Sequence, residues 1–255
     1  MTALPTPTPR TADWAEPLPD AEVERALVVM AHPDDADYGA AGTLAGWTDA
    51  GIAVTLLVAT RGEQGGFDDT PRDQMPAIRE REQRAAAAEL GVRDVRFLDG
   101  WSDGWLEPTW DLQHAIVRVL RQVRPQRVVC QSPQRLLQRL QASHPDHLAA
   151  GEATVRAVYP ASENRFAWPE LVQEGLEPWK VTELWIAGHV EMPHVVDITD
   201  RFDRKVRALQ AHASQTAHQG EGLREMLRGW NARNAAAAGL PEGRLAELFA
   251  VSRIN

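Results

Sequence analysis

The chain has 255 residues, of which 44% are hydrophobic and 25% charged, and its formal net charge is -9. Enough apolar residues are present for a sizeable globular core. The acidic balance argues against a nucleic-acid partner, because proteins that bind phosphate backbones usually carry a basic surface. Cys130 is the only cysteine, which excludes an internal disulfide and fits a reducing, cytoplasmic compartment.

The N-terminal residues 1–22 are rich in proline and threonine and contain no apolar run. We expect them to form a flexible arm ahead of a single domain over residues 23–255. Neither a secretory signal nor a membrane span is expected, because no stretch has the required continuous apolar character. The sequence leaves open whether the protein forms a homo-oligomer.

Short apolar runs alternate with helical patterns along the chain. The predicted strands cover residues 26–30, 52–59, 95–98, 128–131, 182–187 and 194–198, and the predicted helices cover residues 39–50, 78–90, 110–123, 147–158, 199–215 and 222–238. This order predicts a Rossmann-like, doubly wound α/β fold, in which a mostly parallel sheet is flanked by helices. The proline-rich, aromatic segment 159–180 is too long for a plain connector, so we expect a pocket wall or an interface there.

Two short polar strings follow the first and the fourth predicted strands. Residues 31–35 read AHPDD, and residues 143–147 read SHPDH. Each string alone also fits a loop that opens a helix, where an aspartate caps the first turn. Both, however, lie at the carboxyl ends of strands that are commonly neighbours in a doubly wound sheet, where such enzymes place their chemistry. The two strings are therefore expected to converge.

The residue types in the two strings are those of a catalytic metal site. Zinc in such a site takes three protein ligands and keeps one position open for water. His32 and Asp35 are three residues apart and can share an ion, and His144 or His147 can supply the third ligand. The remaining carboxylate and imidazole are available as acid and base. Spacing alone does not decide which residues remain, and another divalent metal would also fit.

Beyond the two strings, the chain resembles the LmbE-like, or PIG-L, family of zinc-dependent de-N-acetylases. The resemblance covers residues 25–215 and includes TRGE at 60–63, REREQRAAAAELGV at 79–92, FLDG at 97–100 and HASQ at 212–215. It implies an LmbE-like fold. It also implies that His32, Asp35 and His147 bind the metal and that Asp34 is the general base that takes a proton from the attacking water.

Four further roles follow from the resemblance. His144 is expected to be protonated and to stabilise the oxyanion or protonate the departing amine, with Asp146 holding the His144 ring by a hydrogen bond. Arg61 and Asp103 match positions where family members contact the sugar. In contrast, we expect His212 to be a packed structural histidine rather than a ligand.

The resulting prediction is a metal-dependent hydrolase that removes an acetyl or other acyl group from an N-acylated amino sugar or a sugar-bearing small molecule. One alternative is an amidase that acts on a thiol conjugate or another non-sugar amide with the same site. A second is a non-catalytic ligand-binding module. The loop at residues 132–143 lacks a tyrosine that some members place near the leaving group, so the substrate stays open. Trp101 and Trp105 flank Asp103 and are expected to overhang the sheet.

Overall fold

A computed structural model describes residues 14–137, 140, 143–189 and 191–254 of the chain. Among these residues, the strands are β1 (Arg25–Met30), β2 (Ala53–Val58), β3 (Asp94–Phe97), β4 (Arg127–Gln131), β5 (Glu183–Ala187), β6 (His194–Asp197) and β7 (Ala246–Arg253). They form one seven-stranded sheet in the order β3-β2-β1-β4-β5-β7-β6.

The first five strands are parallel, and β1 pairs with both β2 and β4. In the second pairing, Val28 lies opposite Val129. The order of the strands reverses between β1 and β4, so the polar strings lie at the switch point, as predicted. Strand β7, which was not predicted from the sequence, runs antiparallel to both β5 and β6.

Helices cover both faces of the sheet, which confirms the predicted α/β class. They are α1 (Asp35–Asp49), α2 (Met75–Glu89), α3 (Trp110–Val123), α4 (Pro145–Arg156), α5 (Pro169–Gln173), α6 (Phe202–Ala211), α7 (Ala213–Thr216) and α8 (Gly222–Ala237). Buried side chains of α1, α2 and α6 form the core on one face, and those of α3 and α4 form the core on the other. The single helix predicted over residues 199–215 is instead divided at His212.

Residues 1–22 were predicted to form a flexible arm, but residues 14–22 are bound to the rest of the protein. The backbone N–H of Ala15 donates to the carbonyl of Val251 at 3.1 Å, and that of Leu18 donates to the Glu183 carboxylate at 2.7 Å. Asp20 pairs with the buried Arg127 at 2.8 Å. These contacts hold residues 14–22 against the sheet. The predicted arm at residues 1–13 lies outside the described residues.

A glycine sets the distance between α4 and the sheet. A Cβ added to Gly151 would lie 2.3 Å from the backbone oxygen of Gln131, at the end of β4. Only glycine permits this close approach of two backbones. Because Gly151 has no side chain, α4 can lie this close to β4. The first turn of α4 carries His147.

Candidate metal and active site

The two polar strings meet at the carboxyl ends of β1 and β4. His32 follows β1, and Asp35 is the first residue of α1. His147 lies in the first turn of α4, for which His144 is the N-cap. Residues as far apart in sequence as His32 and Asp146, which are 114 positions apart, are in contact here. Pairing of adjacent strands therefore assembles the predicted site.

Asp35 lies between the two predicted histidine ligands. One carboxylate oxygen is 3.0 Å from Nε2 of His147, and the other is 3.5 Å from Nδ1 of His32. Burial alone would raise the pKa of Asp35, but the neighbouring His147 and His32 rings hold it well below its usual range. Two imidazole nitrogens beside one carboxylate are a donor set suited to a divalent transition metal.

His144 lies beside this trio. Donor atoms of His32, His144 and His147 all lie within 4.8 Å of one another. The structure thus brings together every residue predicted to be a ligand.

Asp34 adopts an unusual backbone conformation next to the ligands, with a φ of 83°. Its N–H donates to Oε1 of Gln83 at 2.8 Å, and its carboxylate accepts a hydrogen bond from Arg79 at 3.1 Å. Burial raises the pKa of Asp34 to about 6, and the charge of Arg79 limits that rise. A carboxylate with this pKa is suited to a general base at neutral pH.

The residues that support Asp34 were not predicted from the sequence. Arg79 is buried and also donates to the carbonyls of Pro33 and Gly62, both at 2.7 Å. A Cβ at Gly62, where φ is 64°, would lie 1.9 Å from Arg79 Nη1, so glycine is required there. Arg79 and Gln83 are four residues apart on α2, which places two polar side chains on its buried face. The spacing of these two polar residues is visible in the sequence and could have indicated that they have a role in the site.

Asp146 differs from its predicted role. Its carboxylate lies 3.1 Å from Nε2 of His32 and accepts hydrogen bonds from the N–H groups of Gly104 at 2.7 Å and Leu106 at 3.3 Å. The His144 ring instead accepts the backbone N–H of Asp146 at Nδ1, over 3.2 Å. The predicted bond between the Asp146 side chain and the His144 ring is therefore corrected: the fully buried carboxylate turns toward the loop after β3.

The predicted protonation of His144 is also not what the surroundings favour. Burial lowers the pKa of His144, and the neighbouring imidazoles of His32 and His147 lower it further. Because Nδ1 accepts a hydrogen bond, a neutral ring carries its proton on Nε2. His144 is thus arranged as a neutral hydrogen-bond donor.

The two predicted sugar contacts are engaged within the protein. One Asp103 oxygen lies 3.0 Å from Nε2 of His32, and the other accepts the N–H of Gln64 at 3.0 Å. The Arg61 guanidinium donates to Glu80, to the carbonyl of Leu98 and to Asp99. A direct contact between either residue and a sugar stays a prediction.

A cavity of about 370 Å³ opens beside Asp35 and His147. Its lining combines polar and apolar side chains, among them Tyr38, Gln131, Ser132, Leu136, Met192 and Trp230. The loop at 132–143 therefore contributes to the cavity wall. Five residues of the segment 159–180 instead line a separate cavity of about 510 Å³ with Trp110.

The tryptophans flanking Asp103 have different surroundings. Trp101 is partly buried and packs against the core beneath α3 and α4. Trp105 is 79% exposed.

A buried cluster of imidazoles and carboxylates at the switch point of an α/β sheet, with an aspartate suited to a general base beside it, defines a candidate metal-dependent hydrolase. Residues 27–158 match the family model described as PIG-L, GlcNAc-PI de-N-acetylase. The chain belongs to this family.

Several known proteins are similar to this chain. Diacetylchitobiose deacetylase of Thermococcus kodakarensis is 33% identical over 77% of this chain and 72% of its own length. A probable N-acetyl-alpha-D-glucosaminyl L-malate deacetylase 2 of Bacillus anthracis is 32% identical over 75% of this chain and 81% of its own length. The structure of N,N'-diacetylchitobiose deacetylase from Pyrococcus horikoshii matches with a TM-score of 0.83 at 25% identity, covering 92% of this chain and 86% of that one.

These findings confirm the resemblance, the fold and the class of amide-cleaving, metal-dependent enzyme. In the part of the chain that the structure describes, none of the helices has the length and apolar character needed to cross a membrane.

Proposed function

We propose that this protein is a zinc-dependent N-deacetylase that removes the acetyl group from an N-acetylated amino sugar. The observation that carries the proposal is the position of Asp35, which joins His32 and His147 while Asp34 lies beside them against Arg79. The relatives support the substrate class, because their names share an N-acetylated glucosamine unit, linked to a second such sugar or to malate.

His32, Asp35 and His147 are the residues that would hold the ion. When bound there, zinc supplies a Lewis acid that polarises the amide carbonyl and makes water acidic enough to lose a proton near neutral pH. The remaining steps depend on side chains of this chain.

Asp34 takes the proton from the attacking water. Its carboxylate is fixed next to Asp35 by Arg79 and by the hydrogen bond from its own N–H to Gln83. The attack forms a C–O bond and places negative charge on the amide oxygen. When the C–N bond breaks, the amine nitrogen receives the proton that Asp34 took from the water, and the acyl group leaves as acetic acid, which ionises to acetate.

His144 stabilises the charge that develops on the amide oxygen. Its Nδ1 accepts the Asp146 N–H, so its Nε2–H is available as a donor. A donor held in place before the reaction stabilises the transition state without reorganisation, which is typically worth a factor on the order of 10²–10³ in rate. In this proposal the neutral ring has the stabilising role predicted for His144.

The experiment is to measure acetate release by the metal-loaded protein from a panel of N-acetyl sugars and of N-acetylated thiol conjugates. We expect release from sugars, its loss after chelation and its return with added zinc. The Asp34→Asn variant, loaded with zinc, is the matched control for contaminating activity. Release from the thiol conjugates alone would favour the amidase alternative, and no release from any N-acetyl sugar would contradict the proposal.

A further inference from the structure

The two ring nitrogens of His32 face different groups. Nδ1 lies 3.5 Å from Asp35, on the side where His147 also lies. Nε2, on the other side of the ring, lies 3.0 Å from Asp103 and 3.1 Å from Asp146. The imidazole thus separates the proposed metal position from a pair of carboxylates.

Both carboxylates are buried and are themselves held by backbone groups. Asp146 is fully buried, and its oxygen that faces His32 also accepts the N–H of Gly104 at 2.7 Å. Asp103 is 6% exposed and accepts the N–H of Gln64 at 3.0 Å. In addition, the N–H of Asp103 donates to the Glu63 carboxylate at 2.9 Å. Asp103 is therefore fixed from the loop after β2 as well as from its own loop after β3.

We propose that Asp103 is a positioning residue: with Asp146, it accepts the Nε2–H of His32 and so presents the Nδ1 lone pair to the metal. The inference rests on the proposed metal site. A histidine that donates one ring N–H to a carboxylate has a fixed tautomer and orientation and is a more basic ligand. The role differs from the predicted sugar contact, because the Asp103 oxygens face His32 and Gln64.

A second metal between His32, Asp103 and Asp146 is the main structural alternative, because donor atoms of these three residues also lie within 4.8 Å of one another. The hydrogen bonds argue against it. The Asp146 oxygen that faces the ring already accepts the N–H of Gly104 at 2.7 Å. Metal stoichiometry distinguishes the two arrangements.

The test compares the full chain with Asp103→Ala, Asp103→Asn and a control in the same loop, Glu107→Gln, whose side chain is exposed. Each protein is stripped with a chelator, and zinc affinity and stoichiometry are measured by competition with a chromophoric chelator. We expect one zinc per chain. Asp103→Ala should bind zinc about 10- to 100-fold more weakly, the range typical for loss of an outer partner of a metal ligand. Glu107→Gln should match the parent.

Asp103→Asn keeps one acceptor oxygen and loses the charge, so it should show a smaller loss of affinity. It also tests the inference if Asp103→Ala fails to fold. At saturating zinc, the KM of either folded variant should stay close to that of the parent.

Two results would overturn the inference. One is parental zinc affinity in the folded variants together with a raised KM, which would make Asp103 a substrate contact. The other is a parent that binds two zinc ions, one of which is lost in Asp103→Ala. A parent that binds no zinc would instead contradict the proposed function itself.

Discussion

The guanidinium of Arg79 lies against the carboxylate of Asp34, with 3.1 Å between Nη2 and Oδ2. The same guanidinium nitrogen donates to the carbonyl of Pro33, so it holds both sides of the turn in which Asp34 has its positive φ. A conformation that most residues avoid is thus stabilised by a buried cation from a different helix. This fixes the direction of the proposed base relative to Asp35.

Asp34→Asn should abolish most activity while leaving zinc bound. The amide keeps the shape of the side chain but cannot accept the proton of the attacking water. General-base catalysis is typically worth on the order of 10²–10⁴-fold in rate, so kcat should fall by that factor. Acetate release and zinc content are measured on the same preparation. Parental turnover in the zinc-loaded variant would exclude Asp34 as the base.

His147→Ala should lose the metal. Its Nε2 is one of the three atoms facing the proposed ion, so we expect zinc affinity to fall by more than about 100-fold, beyond the loss typical of an outer partner. His218→Ala is the matched control, because His218 is an exposed histidine whose ring packs on Phe67. Zinc titration of the two variants checks the prediction, which fails if both bind zinc equally well.

Gly151→Ala should destabilise the fold. The new methyl group would meet the backbone oxygen of Gln131 at 2.3 Å, and overpacking of this kind typically costs about 1–3 kcal/mol. Gly229→Ala is the control within a helix, because its Cβ meets only the end of the Arg233 side chain at 3.4 Å. The free energy of unfolding of the Gly229→Ala variant should rise by about 0.5–1 kcal/mol. Denaturant unfolding gives both values, and equal free energies of unfolding would show that α4 can shift freely.

The pair formed by His212 and Asp37 should make stability depend on pH. Burial alone would lower the pKa of His212, but Asp37, at 2.9 Å, raises it above its usual value of about 6.5. The stabilisation is therefore complete below about pH 6.5 and is lost as the pH rises through the folded-state pKa. The difference in unfolding free energy between the parent and His212→Gln should shrink from pH 6 to pH 9. If this difference in unfolding free energy stayed constant from pH 6 to pH 9, the prediction would be wrong.

Cys130 should be unreactive in the folded protein. It lies in β4 with no exposed surface, and burial raises the pKa of its thiol to about 12. Because the thiolate is the reactive form, labelling by a thiol reagent should require denaturation. One equivalent of label should appear only in denaturant; rapid labelling without it would place the thiol at the surface.

The sequence was sufficient to predict the elements that assemble the site. β1 and β4 appear as short apolar runs, each followed by a polar string, and the general topology of doubly wound sheets makes such strands neighbours. Local sequence patterns and one topological rule are therefore enough to predict that the two strings meet. His32, Asp35 and His147 are accordingly in contact in the structure.

The partners of each catalytic side chain could not be predicted in the same way. Asp146 was expected to hold His144, its neighbour in sequence, but its carboxylate contacts His32 and the loop after β3. Such choices depend on where loops from distant strands lie. Strand β7 was missed although Gly239, Pro241 and Gly243 mark a turn before its apolar run, because the periodic pattern that precedes it is helical.

The position of β7 has a consequence for biosynthesis. It pairs with β5 on one side and β6 on the other, so β6 has no partner strand in the described sheet until residues 246–253 have left the ribosome. Glu247 of this strand also receives hydrogen bonds from Gly42, Thr43 and Lys205, which tie α1 and α6 to the sheet. A nascent chain could form the parallel strands during translation, but α1, the helix that begins with Asp35, gains its hydrogen bonds to Glu247 only after β7 has been made.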